Sequence, residues 1–316
     1  MPLHQSSGHW RLGLTLALAT ASLWGVLPIA LKVVLQAVDV YTVTWFRFLV
    51  SFGLLAIYLV GRGQFPSWQK LRSSRLDLLA IATLCLAVNY LFYLKGLDNT
   101  SPTNSQVIIQ LAPVFMGLGG LAIFRERYTV PQWIGLGAMT AGMTLFFNDQ
   151  LQALVNASTQ YLVGTGILVL AALFWAVYAL AQKQLLQQLS STAIMLVIYG
   201  GSALLFSPSA SPQQLLTLTP LQWGMLIFSG FNTFLAYGAF AEALDHWEAS
   251  RVSAVLALTP IVTLTSIVVV SSVLPTLLAP EQITLLGIAG AALVVCGSLA
   301  ISLGKNQAIA QSSFPE

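Results

Sequence analysis

One stretch of this chain occurs twice. Leu97-Asp98 is followed, sixteen residues after the leucine, by Pro113 inside an apolar run, and Leu244-Asp245 is followed at the same distance by Pro260. Trp24 and Lys32 stand eight residues apart, as do Trp175 and Lys183. The copies are offset by 147 residues for the first pair and 151 for the second, so the order is kept with small insertions or deletions. A chain of 316 residues that repeats at half its length has two homologous halves, and any fold must accommodate that duplication.

The halves are too apolar for water. Charged residues make up 7% of the chain and hydrophobic ones 57%, with a mean hydropathy of +0.81, whereas soluble domains carry about 25% charged residues. Hydrocarbon offers backbone polar groups no partner outside the chain, so a spanning segment of this kind is a helix. Ten helices of ~20 residues need ~200 residues and leave short loops. The spans expected are Leu12–Leu35, Val40–Val60, Leu76–Leu97, Pro102–Phe124 and Pro131–Phe147, then Leu162–Gln182, Thr192–Phe206, Leu221–Leu244, Ser250–Leu274 and Ile283–Leu303. The first run extends past a usual signal-peptide core and reads as a span that stays. Cys85 and Cys296 fall inside apolar runs and read as buried small hydrophobes, not as a disulfide or metal site. A net charge of +3, carried in loops, is no signature of a nucleic-acid partner.

The basic residues set an orientation. With the N-terminus inside, Arg11, Arg62, Lys70, Arg72, Arg75, Arg125, Arg127, Lys183, Arg251 and Lys305 all fall on the cytoplasmic side. The external loops then hold only Asp39, Asp98, Asp149 and Glu281 as charges, a strong positive-inside split. A multi-pass protein of the cell (inner or plasma) membrane with both termini cytoplasmic is expected. The domains expected are a first five-helix repeat over 1–147, an external linker over 148–160, a second repeat over 161–305 and a short cytoplasmic tail over 306–316. Because five is odd, the second copy enters the membrane upside down, and the fold expected is an all-α bundle of two inverted five-helix repeats. Secondary transporters use this symmetry recurrently.

At this point the sequence resembles the EamA-type branch of the drug/metabolite transporter superfamily. The residues that carry the resemblance are Trp24-Gly25 with Pro28, Phe174-Trp175, Ala112-Pro113, Thr259-Pro260, Phe124-Arg125-Glu126-Arg127, and the pairs Gly135/Gly142 and Gly290/Gly297. The second half departs from the pattern, since Leu274-Pro275-Thr276 stands where a second Phe-x-Glu-Arg would close the ninth span. The resemblance implies small-solute transport, often export, with spans 1, 3, 4, 6, 8 and 9 around a central cavity.

Candidate residues follow from both lines of reading. Pro113 and Pro260 each remove a helical hydrogen bond, and they read as hinges or as static bends. Gln106 and Gln110, four apart on one face, read as solute contacts or as packing glue. Asn89 and Tyr93 in the third span, Asn232 and Tyr237 in the eighth, and Trp24, Trp175 and Tyr178 form an amide-and-aromatic set for an amphipathic solute. Each aromatic reads equally as packing. The remaining tryptophans, Trp247 among them, read as interface anchors. Charge inside a span is costly and therefore informative. Arg47 reads as an anion contact or, since its span is peripheral in the family, as an ion pair or carbonyl clamp. Lys32, Lys95 and Lys183 read as snorkelling cations. Glu242 reads as a coupling carboxylate or as a solvated helix end beside Asp245 and Glu248. The glycine pairs read as close helix packing.

Enzyme signatures are missing: there is no His-Glu-x-x-His, no Gly-x-Ser-x-Gly and no phosphate loop. The three histidines show no metal-ligand spacing with Cys or acidic residues, and neither metal nor cofactor is expected. The reading is a secondary transporter of small organic metabolites, amino acids or amphipathic drug-like solutes, working in the lipid bilayer by alternating access and favouring export. The alternatives are an importer or exchanger of anionic metabolites using Lys32, Arg47 and Lys95, or a non-transporting membrane protein.

Overall fold

The computed structural model describes residues 7–100, 102–124, 128–148, 158–273 and 284–303, and these are helical wherever they are regular. The first half contains α1 (Trp10–Val34), α2 (Val40–Gly61), the short α3 (Trp68–Arg72), α4 (Leu76–Asn99), α5 (Pro102–Ile109), α6 (Leu111–Ile123) and α7 (Val130–Phe146). The second contains α8 (Thr159–Leu185), α9 (Ser191–Phe206), α10 (Pro220–His246), α11 (Ala249–Leu256), α12 (Thr259–Val273) and α13 (Leu285–Leu303). The described ends of the expected spans lie within three residues of these bounds. The 148–160 linker (beyond Asn148 and its last residues), the 306–316 tail, Arg125-Glu126-Arg127 and the 274–283 stretch lie outside the described residues.

Eight helical segments are long and apolar enough to cross a membrane, with α5–α6 and α11–α12 each counting as one. Apolar side chains point outward along them, as at Ile57 (74% exposed), Leu204 (75%) and Val273 (70%), which suits lipid and not water. The fifth and tenth expected spans are shorter: α7 has 17 residues, and the apolar part of α13 covers Leu285–Ile301.

Local chemistry starts and stops the helices where the sequence provides for it. Asp39 caps α2, its Oδ1 accepting from the backbone N–H of Tyr41 (2.8 Å) and Thr42 (3.1 Å). The repeat-equivalent Ser190 caps α9, accepting from the N–H of Ala193 at 3.3 Å. Thr219 and Gln222 form a capping box at the start of α10, with Pro220 at its first turn. Gly63, at φ +62°, takes the left-handed turn that ends the α2 connection.

Two proline positions behave alike, and a third shows that proline alone does not decide. The α5–α6 break comes after Ile109 and the α11–α12 break after Leu256, each four residues before its proline, Pro113 or Pro260. That is the carbonyl a proline ring excludes from helical bonding. The freed Leu256 carbonyl accepts instead from Thr259 Oγ1 at 2.6 Å. Pro28, by contrast, sits inside an uninterrupted α1.

The halves clasp through repeated contacts. α7 and α13 touch backbone to backbone: a Cβ on Gly142 would lie 2.7 Å from Gly290 O, and one on Gly297 would lie 2.4 Å from Gly135 O. Gly135 faces Gly297 while Gly142 faces Gly290, so the two helices run antiparallel. Lys32 Nζ donates to Leu97 O (3.1 Å) and Thr100 O (3.4 Å) at the end of α4. Its counterpart Lys183 donates to Trp247 O (3.5 Å) just past α10. Helix-end clamps therefore replace the snorkelling expected of both lysines.

Two further expectations change. Trp247 is no interface anchor: it is 3% exposed, pressed against α1 where a Cβ on Gly13 would meet its Cβ at 2.7 Å. Cys296 is exposed on the outer face of α13 and Cys85 only half-buried; both are free thiols.

Two predictions follow from this packing. Gly290→Ala places a Cβ 2.4 Å from the Phe146 backbone nitrogen, which cannot step aside, and should cost about 1–3 kcal/mol. Gly137→Ala, with nothing within 4 Å, should stay within about 0.5 kcal/mol; thermal unfolding in detergent compares the two. Removing the α2 cap with Asp39→Ala should cost about 1 kcal/mol in the same assay.

Candidate functional site

A cavity with about 660 Å³ of empty space, including what is open to solvent, lies at the centre of the bundle. Seven of the nine proposed solute contacts line it: Trp24, Asn89, Tyr93, Gln106, Gln110, Trp175 and Tyr237. They come from α1, α4, α5 and the turn after it, α8 and α10, so both halves build the wall. Pro113 lines it too, and so do Ile109, Leu256 and Thr259 from the two helix breaks.

The repeat-equivalent Trp24 and Trp175 meet edge to face, ring centroids 5.6 Å apart. Tyr237 packs on Trp24 at 4.8 Å, and Phe240 packs on Trp175 at 5.0 Å. These rings form an aromatic floor. Trp24 Nε1 is buried and has no hydrogen-bond partner among the described residues. Opposite chemistry stands on the proline-broken span, where Gln106 Oε1 and Gln110 Oε1 are buried acceptors without a protein donor. Gln106 turns its Nε2 to the Tyr93 hydroxyl at 3.3 Å. Buried polar atoms left without partners are rare in packed protein, and among the described residues four of them, these three and the Tyr90 hydroxyl, belong to the lining of one cavity.

The other proposed residues lie elsewhere. Tyr178 is fully buried behind the floor, its hydroxyl on Met195 Sδ at 3.6 Å. Asn232 is not among the lining residues; its Nδ2 donates to Leu23 O at 2.6 Å, tying α10 to α1. Asn89 does line the cavity, yet its Nδ2 makes the analogous tie from α4 to Ala171 O of α8 at 2.9 Å. Pro260 sits beside the lining residue Thr259 without reaching the cavity surface. Lys32 and Lys95 are outside it, Lys95 donating to the Tyr41 hydroxyl at 2.9 Å.

Arg47 corrects the view of its span as peripheral. It lines the cavity and is 2% exposed. Among the described residues neither an ion pair nor a carbonyl clamp holds it. Its Nε donates to Thr233 Oγ1 at 3.0 Å, and its guanidinium lies over the Tyr90 ring, 4.4 Å from the centroid.

Glu242 is not among the residues that line the solute cavity. It accepts a short hydrogen bond from Ser191 Oγ and faces His246 Nε2 at 3.5 Å. Helical spacing also brings Glu242, Asp245 and His246 together, with ligand atoms within 4.8 Å of one another. That corrects the expectation that no histidine has acidic neighbours at ligand spacing: residues three and four apart share a helix face.

Tyr90, which the sequence offers beside Asn89 and Tyr93 in the same span, lines the cavity as well. Three further lining residues carry weaker signals in the sequence. Ile109 and Leu256 are each the fourth residue before a proline, where a break exposes the chain. Leu27, one turn beyond Trp24, carries no comparable signal.

Known proteins share both the sequence and the fold. The model of the EamA-like transporter family matches residues 11–148 and 162–303. An uncharacterized transporter of Haemophilus influenzae is 36% identical over 93% of this chain and 96% of its own length. The uncharacterized inner membrane transporter YhbE of Escherichia coli K12 is 39% identical over 93% of this chain and 92% of its own. A probable amino-acid metabolite efflux pump of Salmonella typhimurium is 25% identical over 89% of this chain and 92% of its own. A solved crystal structure superposes with a TM-score of 0.68, covering 95% of this chain and 98% of that one, at 18% identity; it supports the fold alone. With the family pattern matched over almost its whole length, this chain belongs to the EamA-like transporter family.

Proposed function

We propose that the chain is a secondary transporter that moves small organic metabolites across the inner membrane by alternating access, in the direction of export. The observation that carries this reading is the central cavity, walled by both halves and bordered by both proline breaks. Ten spans in two inverted five-helix repeats account for the repeated contacts, with a pseudo-two-fold axis passing between Trp24 and Trp175. The antiparallel glycine pairing of α7 and α13 is what such an axis requires.

Inverted symmetry converts a packing difference into a direction of access. Among the described residues, α11 packs extensively on α6 and α13. Its counterpart α5 packs lightly on α12 and makes little contact with α7. The bundle is therefore tighter at the α11 end, which the basic residues place in the cytoplasm, and looser at the external end. Exchanging the two packings would close α5 and release α11, turning the same cavity inward. The breaks after Ile109 and Leu256 let the half-helices move without melting a full span. Export, amino-acid-like solutes and the inner membrane are supported by the names of the Salmonella and Escherichia coli relatives.

Single cysteines at repeat-equivalent positions test this, in a background with Cys85 and Cys296 replaced by serine. Gln106 and Ser253 are both 4% exposed, but Gln106 lines the central cavity and Ser253 does not, its Oγ lying 2.9 Å from where a Cβ on Gly117 would stand. Gln106→Cys should react with an impermeant thiol reagent from outside and Ser253→Cys should be protected. Transported solute should slow labelling at 106 and open 253 to reagent from inside. Labelling of both positions from one side under every condition would sink alternating access.

A further inference from the structure

We propose that the solute carries a carboxylate and that Arg47 is its anchor; this rests on the transport reading and specifies its substrate. The placement of the charge is the first ground. Arg47 is the eighth residue of α2, whereas every other Asp, Glu, Lys or Arg of the described spans lies within five residues of a helix end. The backbone of α2 passes α10 where Val50 meets Gly230. Arg47 reaches Thr233, a turn deeper and midway along Pro220–His246. The guanidinium therefore stands near the middle of the membrane, where a charge is costly and is normally compensated.

The protein does not supply that compensation. Among the described residues no carboxylate lies within 4.0 Å of Arg47, and its one hydrogen bond uses Nε alone. The fork of terminal N–H groups, four of the five donors of a guanidinium, makes no bond among the described residues. Thr233 offers a lone pair but no countercharge, its neutral hydroxyl donating to Ser229 O at 2.8 Å. Tyr90 holds the plane of the guanidinium from its face, which leaves the edge with the donors for a ligand. A structural clamp would instead direct those donors at carbonyls, as Lys32 does at Leu97 and Thr100.

The cavity wall fits one kind of occupant. Its lining includes a single cation and no Asp or Glu, so an anionic group is attracted and a bare cation repelled. A planar carboxylate matches the planar fork with two parallel bonds. The rest of the solute meets the Trp24–Trp175–Tyr237 floor, and the unpartnered oxygens of Gln106 and Gln110 accept from a donor on the same molecule. The class is a small organic acid with an apolar body and a second, hydrogen-bond-donating group, such as an amino or hydroxy acid. Arg47 thus separates acids from their neutral isosteres.

Binding of acid–amide pairs that share one body tests this: lactate and lactamide, L-leucine and L-leucinamide, 3-phenylpropanoate and 3-phenylpropanamide. Affinities come from thermal shift of the full chain in nanodiscs. At least one acid should bind about tenfold or more tighter than its amide, because the amide leaves the fork unmatched. Arg47→Gln should bring that pair to within about twofold of each other, and Arg47→Lys, which keeps charge without the fork, should fall between. Equal binding of acid and amide in every pair, no stabilisation by any acid, or retained preference in Arg47→Gln would each overturn the proposal. The wild-type comparison decides even where Arg47→Gln fails to fold. Flux in proteoliposomes separates this inference from the one it rests on. Equal flux of acids and amides refutes the carboxylate anchor alone, whereas acid-selective binding without any flux refutes transport alone.

Discussion

A peptide group in hydrocarbon has no partner except another part of the chain, and that constraint shapes this bundle more than any single contact. Unbroken helices satisfy it locally, so most of the fold is unbroken helix. Breaks are admissible only where the exposed backbone meets protein or a cavity. Both breaks here obey this: they fall at Ile109 and Leu256, which line the central cavity, and Thr259 takes the carbonyl released at Leu256. The site therefore arises where the backbone rule is relaxed, and proline placement decides where that is. Pro28 shows the limit of this reasoning, since α1 passes through it without interruption.

Close helix approach supplies the second layer. Glycine at four positions lets α7 and α13 meet at backbone distance, where many weak contacts and Cα–H···O interactions replace the hydrophobic driving force that lipid removes. Polar side chains tie the remaining pairs. Asn89 and Asn232 make matching bonds across α4–α8 and α10–α1, and Lys32 and Lys183 make matching bonds to the chain that follows α4 and α10. Lys32 and Lys183, which share one offset of the sequence repeat, thus make similar bonds in the two halves, whereas Asn89 and Asn232 make similar bonds from positions outside that register.

How much of this could be read from residues alone depended on which signals are periodic. Span positions follow from hydropathy, and every described end was legible to within three residues. Cavity residues were legible where they combined an unusual type with helical spacing, as for Gln106 with Gln110 and Asn89 with Tyr93. Tyr178, three residues from Trp175, satisfies the same criteria and points elsewhere, because spacing fixes which residues share a face but not which neighbour that face meets; Asn232 is five residues from Tyr237 and shares no face with it. Arg47 was visible as a costly charge, yet its role depended on its partners. A pairing with a carboxylate and a pairing with Tyr90 and Thr233 look identical in one dimension. Trp247 illustrates the same ambiguity, since tryptophans near span ends serve lipid interfaces and buried joints alike.

The antiparallel union of α7 and α13 also has a temporal side. A ribosome finishes α7 at Phe146 and does not begin α13 until Leu285. At about 5–20 residues per second, that interval lasts roughly 7–28 s. Throughout it the glycine groove of α7 is inserted without the only surface shaped to fill it among the described helices. This backbone-to-backbone seam is thus among the last to form, and α1–α7 must stay together by other contacts until the chain is nearly complete.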